Sequence, residues 1–327
     1  MSNITIIGSG SWGIALAIHL SKTGHNLKVW SFAQEEADLI NNENKCKFLP
    51  NVDLPKNIYC TTNYEEALEG SKIVLVVTPA KFFRNIVKEF KTYIKDQIIV
   101  VCSKGIEENT LLTLDEVVLE EIPNSKVGIL SGPSHAEEVA LGIPTAIVIA
   151  SKHQDVQEKI QDEFMSQNFR VYTSYDVKGV GLGGSIKNVI ALCAGVAAGL
   201  GYGDNTFAAL ITRGLTEIAR LGIAMGAQEN TFYGLTGLGD LIVTCLSEHS
   251  RNRKAGILVA QGKSMQEAQD EIGMVVESFY TIKASYKLMQ KYEVEMPILS
   301  GMYNVLFNNY DLNQTVKDLL NRDKKSE

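Results

Sequence analysis

The stretch that decides the fold is Ile4-Thr5-Ile6-Ile7-Gly8-Ser9-Gly10-Ser11-Trp12-Gly13. Its apolar start predicts a buried strand, and Gly-x-Gly-x-x-Gly follows at once. A helical stretch over residues 14–22, closed by Gly24, and a second apolar run over residues 27–30 come next. The glycine pattern alone is a weak signal, but the order strand, turn, helix, strand is typical of a dinucleotide-binding site.

Each glycine of this turn has a physical task. Gly8 allows the tight bend, Gly10 lets the backbone approach a pyrophosphate, and Gly13 lets the helix pack closely on the strand. Free backbone N–H groups at the start of the helix can then hold the phosphates. We therefore predict NAD or NADP as the cofactor.

The end of the second strand normally distinguishes the two cofactors, through an acid for the ribose 2′-hydroxyl or an arginine for a 2′-phosphate. Residues 29–34 read Val-Trp-Ser-Phe-Ala-Gln and carry neither. Ser31 and Gln34 fit a capping box for the next helix, and Glu35 and Glu36 fit its first turn. The choice between NAD and NADP stays open.

Further apolar runs continue the alternation of strands and helices, at residues 73–77, 98–101, 127–130 and 146–149. Continuous apolar runs indicate strands covered on both faces, as in a parallel sheet. The first half is thus predicted to be a doubly wound, mostly parallel, Rossmann-like α/β domain.

The texture changes near Gly181, after which helical stretches dominate: residues 187–198, 207–225, 265–271, 278–292 and 300–307. We predict an all-helical second domain for substrate binding and catalysis, so that residues 1–178 bind NAD(P) and residues 179–327 form the second domain.

Composition excludes several classes of protein. The chain has 327 residues, a net charge of −7 and no marked basic cluster outside its last residues, which argues against nucleic acid or an anionic membrane as a partner. Five scattered cysteines without a C-x-x-C pair indicate free thiols in the cytoplasm and no metal site. The longest weakly polar run, residues 189–203, is too short to span a bilayer.

Candidate reacting residues follow strand ends or glycine-rich segments. Lys104 comes directly after the strand at residues 98–101, although a solvated loop lysine would look the same. Lys187 and Asn188 follow glycine-rich residues on an otherwise apolar helix, where the lysine either extends to solvent or is held for a function. Asp240 and Thr244 share a helical face, although Asp240 alone could be a cap. Ser250, Arg251 and Asn252 begin a helix in a manner suited to a phosphate, although a solvated basic patch would look the same.

In this order, these segments resemble the bacterial type of NAD(P)-dependent glycerol-3-phosphate dehydrogenase over nearly the whole chain. The resemblance rests on the amino-terminal glycine pattern and on these segments: residues 103–107, Ser-Lys-Gly-Ile-Glu; 132–136, Gly-Pro-Ser-His-Ala; 182–188, Leu-Gly-Gly-Ser-Ile-Lys-Asn; 209–214; 237–241; 244–245; 250–253, Ser-Arg-Asn-Arg; and 275–277, Val-Val-Glu.

The resemblance implies a role for each matching residue. Lys187 resembles the family's general acid and base, and Lys104 resembles a residue that contacts both substrate and nicotinamide. Asp240 is expected to orient Lys187. The implied substrate positions are Lys104, Gly132, Ser134, Lys187, Asn188, Asp240, Thr244, Ser250, Arg251 and Asn252. The implied cofactor positions are Gly8, Gly10, Ser11, Trp12, Gly13, Lys104, Ala136, Arg251, Val275 and Glu277. A supply of glycerol 3-phosphate for phospholipid synthesis is also implied. Separately, the apolar helix faces of the second domain favour a homodimer.

One departure from the family pattern bears on the cofactor. Family members often carry arginine just after the second strand, and this chain does not. Ser134 and His135 also stand where other members show other residues.

Two other classes of protein remain as alternatives. The β-hydroxyacid and 6-phosphogluconate dehydrogenases share the two-domain plan, but they place asparagine four residues after the lysine, where this chain has Ala191. A non-catalytic dinucleotide sensor would bind cofactor without turnover.

Overall fold

The computed structural model describes residues 2–324 and divides into two compact units. The first consists of residues 2–104 and Leu112–Gly181, and the second of Gly105–Leu111 and residues 182–324. The predicted boundary near residue 178 did not anticipate that the segment Gly105–Leu111 belongs with the second unit. Ile106 is buried in the core of that unit, and the Ser185 hydroxyl donates to the Gly105 carbonyl at 3.1 Å.

The first unit is built on an eight-stranded sheet in the order β3-β2-β1-β4-β5-β6-β7-β8. All neighbours pair in parallel except β6 and β7. The strands are β1 (Asn3–Ile7), β2 (Asn26–Trp30), β3 (Ile58–Thr61), β4 (Ile73–Val76), β5 (Ile98–Val101), β6 (Val127–Ser131), β7 (Thr145–Ser151) and β8 (Phe169–Ser174). The mostly parallel sheet confirms the predicted fold class.

The sequence did not reveal β3 and β8. Both lie at an edge of the sheet, and their outward residues, such as Tyr59 and Arg170, are exposed. Their sequences therefore lack the continuous apolar run that marks a strand buried on both faces.

Helices of the first unit connect these strands: α1 (Ser11–Lys22), α2 (Gln34–Glu43), α3 (Tyr64–Leu68), α4 (Phe83–Phe90), α5 (Leu114–Glu121), α6 (Ala136–Leu141) and α7 (Gln154–Phe164). The predicted Ser31–Gln34 capping box is wrong. Helix α2 begins at Gln34 after Ala33, and the Gln34 amide donates to Asp38 instead. The Ser31 hydroxyl is used elsewhere, as described below.

Helix α8 (Val177–Gly199) begins in the first unit and ends in the second. The other described elements of the second unit are also helices. Its further elements are α9 (Asp204–Ala224), α10 (Glu229–Phe232), a π-helical turn (Leu235–Gly239), α11 (Asp240–Leu246), α12 (Arg251–Ala260), α13 (Met265–Ile272), α14 (Ser278–Lys291), α15 (Pro297–Phe307) and α16 (Leu312–Leu320). The predicted helices are all present. Helices α10 and α16 were not predicted, since α10 has only four residues and α16 has no buried residue.

Helix α8 is long and apolar enough to cross a membrane by length and composition alone, yet 89% of its most apolar window is buried inside the protein. It crosses α12 in backbone contact. A Cβ on Gly195 would lie 2.0 Å from the Arg253 carbonyl oxygen, and one on Gly256 would lie 2.0 Å from that of Leu192. These glycines fix the distance between the two helices that carry Lys187 and the Ser250–Asn252 segment.

Glu217 on α9 is a buried carboxyl group that caps another helix. Its two oxygens accept backbone N–H bonds from Ile298 at 2.7 Å and Leu299 at 3.1 Å, at the start of α15. Burial raises the pKa of Glu217 to about 7, and these two N–H donors oppose the rise. The folded protein therefore holds this proton more tightly than the unfolded chain does.

We predict that this group makes stability depend on pH with a defined sign. Because the folded pKa lies above the ordinary value of 4.5, the stabilisation is complete below pH 4.5 and is lost as pH rises through about 7. Urea unfolding at pH 5 and pH 8 should show the wild type losing roughly 1–3 kcal/mol relative to Glu217→Gln over this range.

The control variant is Glu229→Gln, the same change at an exposed position. Its stability difference from the wild type should vary by less than about 0.5 kcal/mol between the two pH values. Parallel pH dependence in the wild type and Glu217→Gln would contradict the assignment.

Candidate functional site

The glycine-rich turn between β1 and α1 has the form that its sequence predicts. Gly8 adopts a φ of +123°, and a Cβ there would lie 2.6 Å from the Val77 carbonyl oxygen at the end of β4. A Cβ on Gly13 would lie 2.1 Å from the Gly8 carbonyl oxygen, whereas one on Gly10 would meet nothing within 4 Å. Two of the glycines are thus required by packing, and Gly10 keeps the turn open on its outer side.

Two loops follow the carboxyl ends of β5 and β6 and meet through hydrogen bonds. The Lys104 ammonium donates to the Gly132 carbonyl at 3.3 Å, and the Ser134 hydroxyl donates to the same oxygen at 3.0 Å. Gly132 has a φ of +144° and no room for a side chain, since a Cβ would lie 2.9 Å from the Ile147 Cα. Lys104 is half-buried and held by its own unit, which argues against a freely solvated loop lysine.

This edge of the sheet fits a bound dinucleotide. The strand order reverses direction between β1 and β4, which is where an open α/β sheet binds ligands. Just beyond β4 and at the end of β6, the hydroxyls of Thr78 and Ser131 are buried and have no hydrogen-bond partner among residues 2–324. Buried polar groups are normally paired, so these two are consistent with a polar ligand at the same edge.

A cluster of three side chains, which we call the serine–glutamate cluster, joins the glycine turn to the end of β2. The hydroxyls of Ser9 and Ser31 are 2.8 Å apart, and Ser31 donates to Glu36 Oε2 at 2.8 Å. Ser9 also donates to the same carboxylate oxygen. The position of Glu36 in the first turn of α2 was predicted, but the return of its side chain to the glycine turn was not.

In the second unit, Lys187 forms a buried ion pair. Its ammonium lies 2.5 Å from Asp240 Oδ1 and 2.5 Å from the Thr244 hydroxyl, which itself donates to the Asp240 carbonyl at 2.6 Å. The three residues are 4%, 1% and 4% exposed. Asp240 therefore does more than cap a helix, because it forms an ion pair with Lys187. This pairing also explains why a lysine is present on an apolar helix.

Small residues allow α8 to reach this pair. A Cβ on Gly183 would lie 2.9 Å from the Thr236 carbonyl oxygen in the π-helical turn. A Cβ on Gly237 would lie 2.0 Å from the Phe232 carbonyl oxygen. The glycine-rich segments before Lys187 and before Asp240 therefore serve close packing, which brings the two charged side chains together.

Asn188, the residue after Lys187, forms a second buried group with Asn252. The Asn252 amide donates to the Asn188 oxygen at 3.0 Å, and the Asn252 oxygen accepts the backbone N–H of Ser278 at 3.0 Å. Asn252 thus uses both ends of its side chain to link α8, α12 and α14. Because the Asn188 oxygen accepts from Asn252, the NH₂ group of Asn188 points away from Asn252.

The helix cap predicted at Ser250 is present at the start of α12. The Ser250 hydroxyl accepts the Arg253 backbone N–H at 3.2 Å and caps the helix. The Arg251 guanidinium donates to the Val275 carbonyl at 3.2 Å, which ties together two predicted cofactor positions. Glu277 immediately precedes α14, and Ala136 begins α6 in the first unit.

All five cysteines are free thiols in the structure, and four of them are buried. Burial raises the pKa of the Cys60 and Cys245 thiols to about 12, so both are uncharged at neutral pH. Their environment is that of packing residues, in line with the interpretation from their spacing.

Comparison with known families gives two matches that together cover most of the chain. The family model described as NAD-dependent glycerol-3-phosphate dehydrogenase N-terminus matches residues 3–157, and the corresponding C-terminus model matches residues 176–317. Similar proteins named glycerol-3-phosphate dehydrogenase [NAD(P)+] occur in Fusobacterium nucleatum, at 53% identity over 100% of this chain and 99% of the relative, and in Agathobacter rectalis, at 49% identity over 100% and 98%.

Solved structures agree with the sequence comparison. The glycerol-3-phosphate dehydrogenase of Coxiella burnetii is 36% identical and superposes with a TM-score of 0.95 over 98% of this chain and 99% of that one. The Saccharomyces cerevisiae enzyme of the same name is 26% identical, with a TM-score of 0.83 over 98% and 99%. The chain therefore belongs to the NAD-dependent glycerol-3-phosphate dehydrogenase family and is an oxidoreductase that acts on a CH–OH group with NAD or NADP.

Proposed function

We propose that Lys187 is the general acid and base of the glycerol-3-phosphate dehydrogenase reaction, which interconverts glycerol 3-phosphate and dihydroxyacetone phosphate. The observation that carries this proposal is the buried ion pair of Lys187 with Asp240, to which the Thr244 hydroxyl adds a hydrogen bond. A buried lysine is rare and costly without a partner, and pairing an ammonium with an aspartate and a hydroxyl is one way to hold it in a defined place.

The chemistry requires a proton at one oxygen of the substrate. When bound, the reduced nicotinamide supplies a hydride for the carbonyl carbon of dihydroxyacetone phosphate. The carbonyl oxygen then carries negative charge, and Lys187 would donate the proton that makes it a hydroxyl; in the opposite direction it would accept that proton. Lys104 would add positive charge that polarises the carbonyl.

Asp240 and Thr244 are proposed as positioning residues for Lys187. Asp240 is 1% exposed, so its carboxylate is shielded from water and holds the ammonium in one orientation. The Thr244 hydroxyl accepts from Lys187 while donating to the Asp240 carbonyl, which fixes its own rotamer. The predicted direct contact of Thr244 with substrate stays a prediction.

For the phosphate and hydroxyl groups of the substrate, we propose the start of α12 together with Asn188. Ser250 and Arg251 lie at a helix N-terminus, which favours an anion, and Arg251 adds a guanidinium. Asn252 stays a proposed substrate position, because its bonds to Asn188 and Ser278 hold the side chain in place and leave its second amide hydrogen for a ligand. Gly132 and Ser134 stay proposed substrate positions in the first unit.

For the dinucleotide, we propose Gly8, Gly10, Ser11, Trp12 and Gly13 at the start of α1. The supporting observations are the open outer side of Gly10 and the partnerless hydroxyls of Thr78 and Ser131. The further proposed positions are Lys104, Ala136, Arg251, Val275 and Glu277.

We also propose a cytoplasmic homodimer that supplies glycerol 3-phosphate for phospholipid synthesis. The free cysteines suit a reducing compartment. Large apolar side chains exposed on the second unit suit a subunit interface: Ile223, Tyr233, Ile242 and Leu246.

The first test of the mechanism is Lys187→Ala. Loss of a positioned acid should lower kcat for dihydroxyacetone phosphate reduction by roughly 10²–10⁴-fold. The loss should appear in absorbance of the reduced nicotinamide under saturating substrate, while the Kd for the reduced cofactor changes little.

Because removing the ammonium leaves Asp240 buried without its partner, Lys187→Met with Asp240→Asn should be measured beside it, with thermal unfolding as a check of folding. The matched control is Lys178→Ala, which removes a lysine from the first turn of the same helix that pairs with Glu116. Turnover near the wild-type value in a folded Lys187→Ala protein would refute the assignment.

A second prediction separates the hydroxyl of Thr244 from its shape. Thr244→Val keeps the volume and removes the acceptor for Lys187, so kcat should fall about 10-fold, the scale of losing one positioned hydrogen bond. Thr244→Ser keeps the hydroxyl and should restore kcat to within about 3-fold of the wild type. Equal kcat values for the two variants would show that Thr244 does not position Lys187.

A further inference from the structure

We propose that Glu36 makes this enzyme prefer NAD(H) over NADP(H), by placing a carboxylate where the adenosine ribose of the cofactor must lie. The inference rests on the nucleotide site proposed at the glycine turn and is independent of the role proposed for Lys187.

The position of Glu36 follows from the serine–glutamate cluster. Ser9 is inside the glycine turn after β1, and Ser31 directly follows β2, the strand paired with β1. Both hydroxyls bond to Glu36 Oε2, so the carboxylate is held at the common end of these two strands. In a dinucleotide-binding sheet, this is the place where an acid at the end of β2 would meet the ribose hydroxyls.

Glu36 reaches that place from a different point in the sequence. The usual acid is the last residue of β2, whereas Glu36 belongs to the first turn of α2 and folds back towards the turn. Ser31, which occupies the strand-end position, acts as a bridge between Glu36 and the glycine turn. A pattern search at the strand end therefore finds only a serine.

The carboxylate retains capacity for a ligand. Both serines use Oε2, and the half-buried Glu36 makes no described hydrogen bond through Oε1. A carboxylate oxygen accepts hydrogen bonds from hydroxyls but repels a phosphate. A ribose 2′-hydroxyl would suit Oε1, and a 2′-phosphate would not.

The segment between the end of β2 and Glu36 offers no compensating positive charge. Residues 31–36 contain two glutamates and no lysine or arginine. Phe32, where a cation could have accepted a 2′-phosphate, is 89% exposed and presents an uncharged ring. The attractive contact for NAD and the repulsive one for NADP thus act in the same direction.

The test measures binding rather than turnover. Dissociation constants for NADH and NADPH should be determined by calorimetry for the wild type, Glu36→Gln and Glu35→Gln. Glutamine at position 36 keeps an oxygen that can accept from the two serines while removing the charge. Glu35 is the adjacent exposed glutamate, so Glu35→Gln removes the same charge without touching the cluster.

The wild type should bind NADH at least about 10-fold more tightly than NADPH. Glu36→Gln should reduce that preference by roughly 10-fold or more, chiefly through tighter binding of NADPH, and Glu35→Gln should change it by no more than about 2-fold. Equal or tighter binding of NADPH by the wild type would overturn the proposal. The same change in both variants would also overturn it, because the effect would then be one of net charge.

Discussion

Lys187 is a positive charge buried on a helix that, apart from Asn188, is otherwise apolar or small between Gly179 and Gly199, and the packing of the second unit around it depends on this charge. An ammonium in such surroundings is strongly unfavourable without an anion close to it. Asp240 must therefore approach α8 closely, and it does so because Gly183 and Gly237 leave no side chains in the way. Thr244, one turn further along α11, then accepts a second hydrogen bond from the ammonium. The glycines of these segments, which in sequence indicate close approach of backbone or cofactor, are here needed for packing around a charge.

Much of the fold could be predicted because its signals are local. The strands at the centre of the sheet are covered on both faces and read as unbroken apolar runs, and Gly8 and Gly13 are needed by steric contacts inside one short turn. The edge strands β3 and β8 escaped because exposed residues interrupt their apolar runs: Tyr59 in β3, and Arg170, Tyr172 and Thr173 in β8. The segment Gly105–Leu111 escaped for another reason: its place in the second unit depends on contacts such as that of Ser185 with Gly105, which are distant in sequence and leave no local pattern.

The candidate site shows the same division between local and long-range information. Lys187, Asp240 and the Ser250 cap could be selected from sequence because each follows a recognisable motif. The contacts that their side chains make could not be predicted from sequence. Asn252 bonds to Asn188 on α8 and to the backbone of Ser278 at the start of α14, and neither contact leaves a local pattern in the sequence. Ser31 looked like a helix cap, yet its hydroxyl bridges the glycine turn and Glu36, because α2 starts at Gln34 and leaves the serine outside the helix. Side-chain direction depends on where a helix begins to within one residue, and sequence patterns do not resolve that.

The groups proposed for proton transfer and for cofactor choice therefore differ in their physical surroundings. The Lys187–Asp240 pair is almost fully buried, and loss of either member leaves an uncompensated charge inside the protein, so change there is costly to stability as well as to chemistry. Glu36 is half-buried at the rim of a turn, where water can solvate a replacement side chain and the cost of change is small. A family that keeps its reaction while varying its cofactor should accordingly vary at the end of β2 and the start of α2. The absence here of the arginine that other members often carry, together with a carboxylate held by two serines, is the kind of variation that this difference in cost permits.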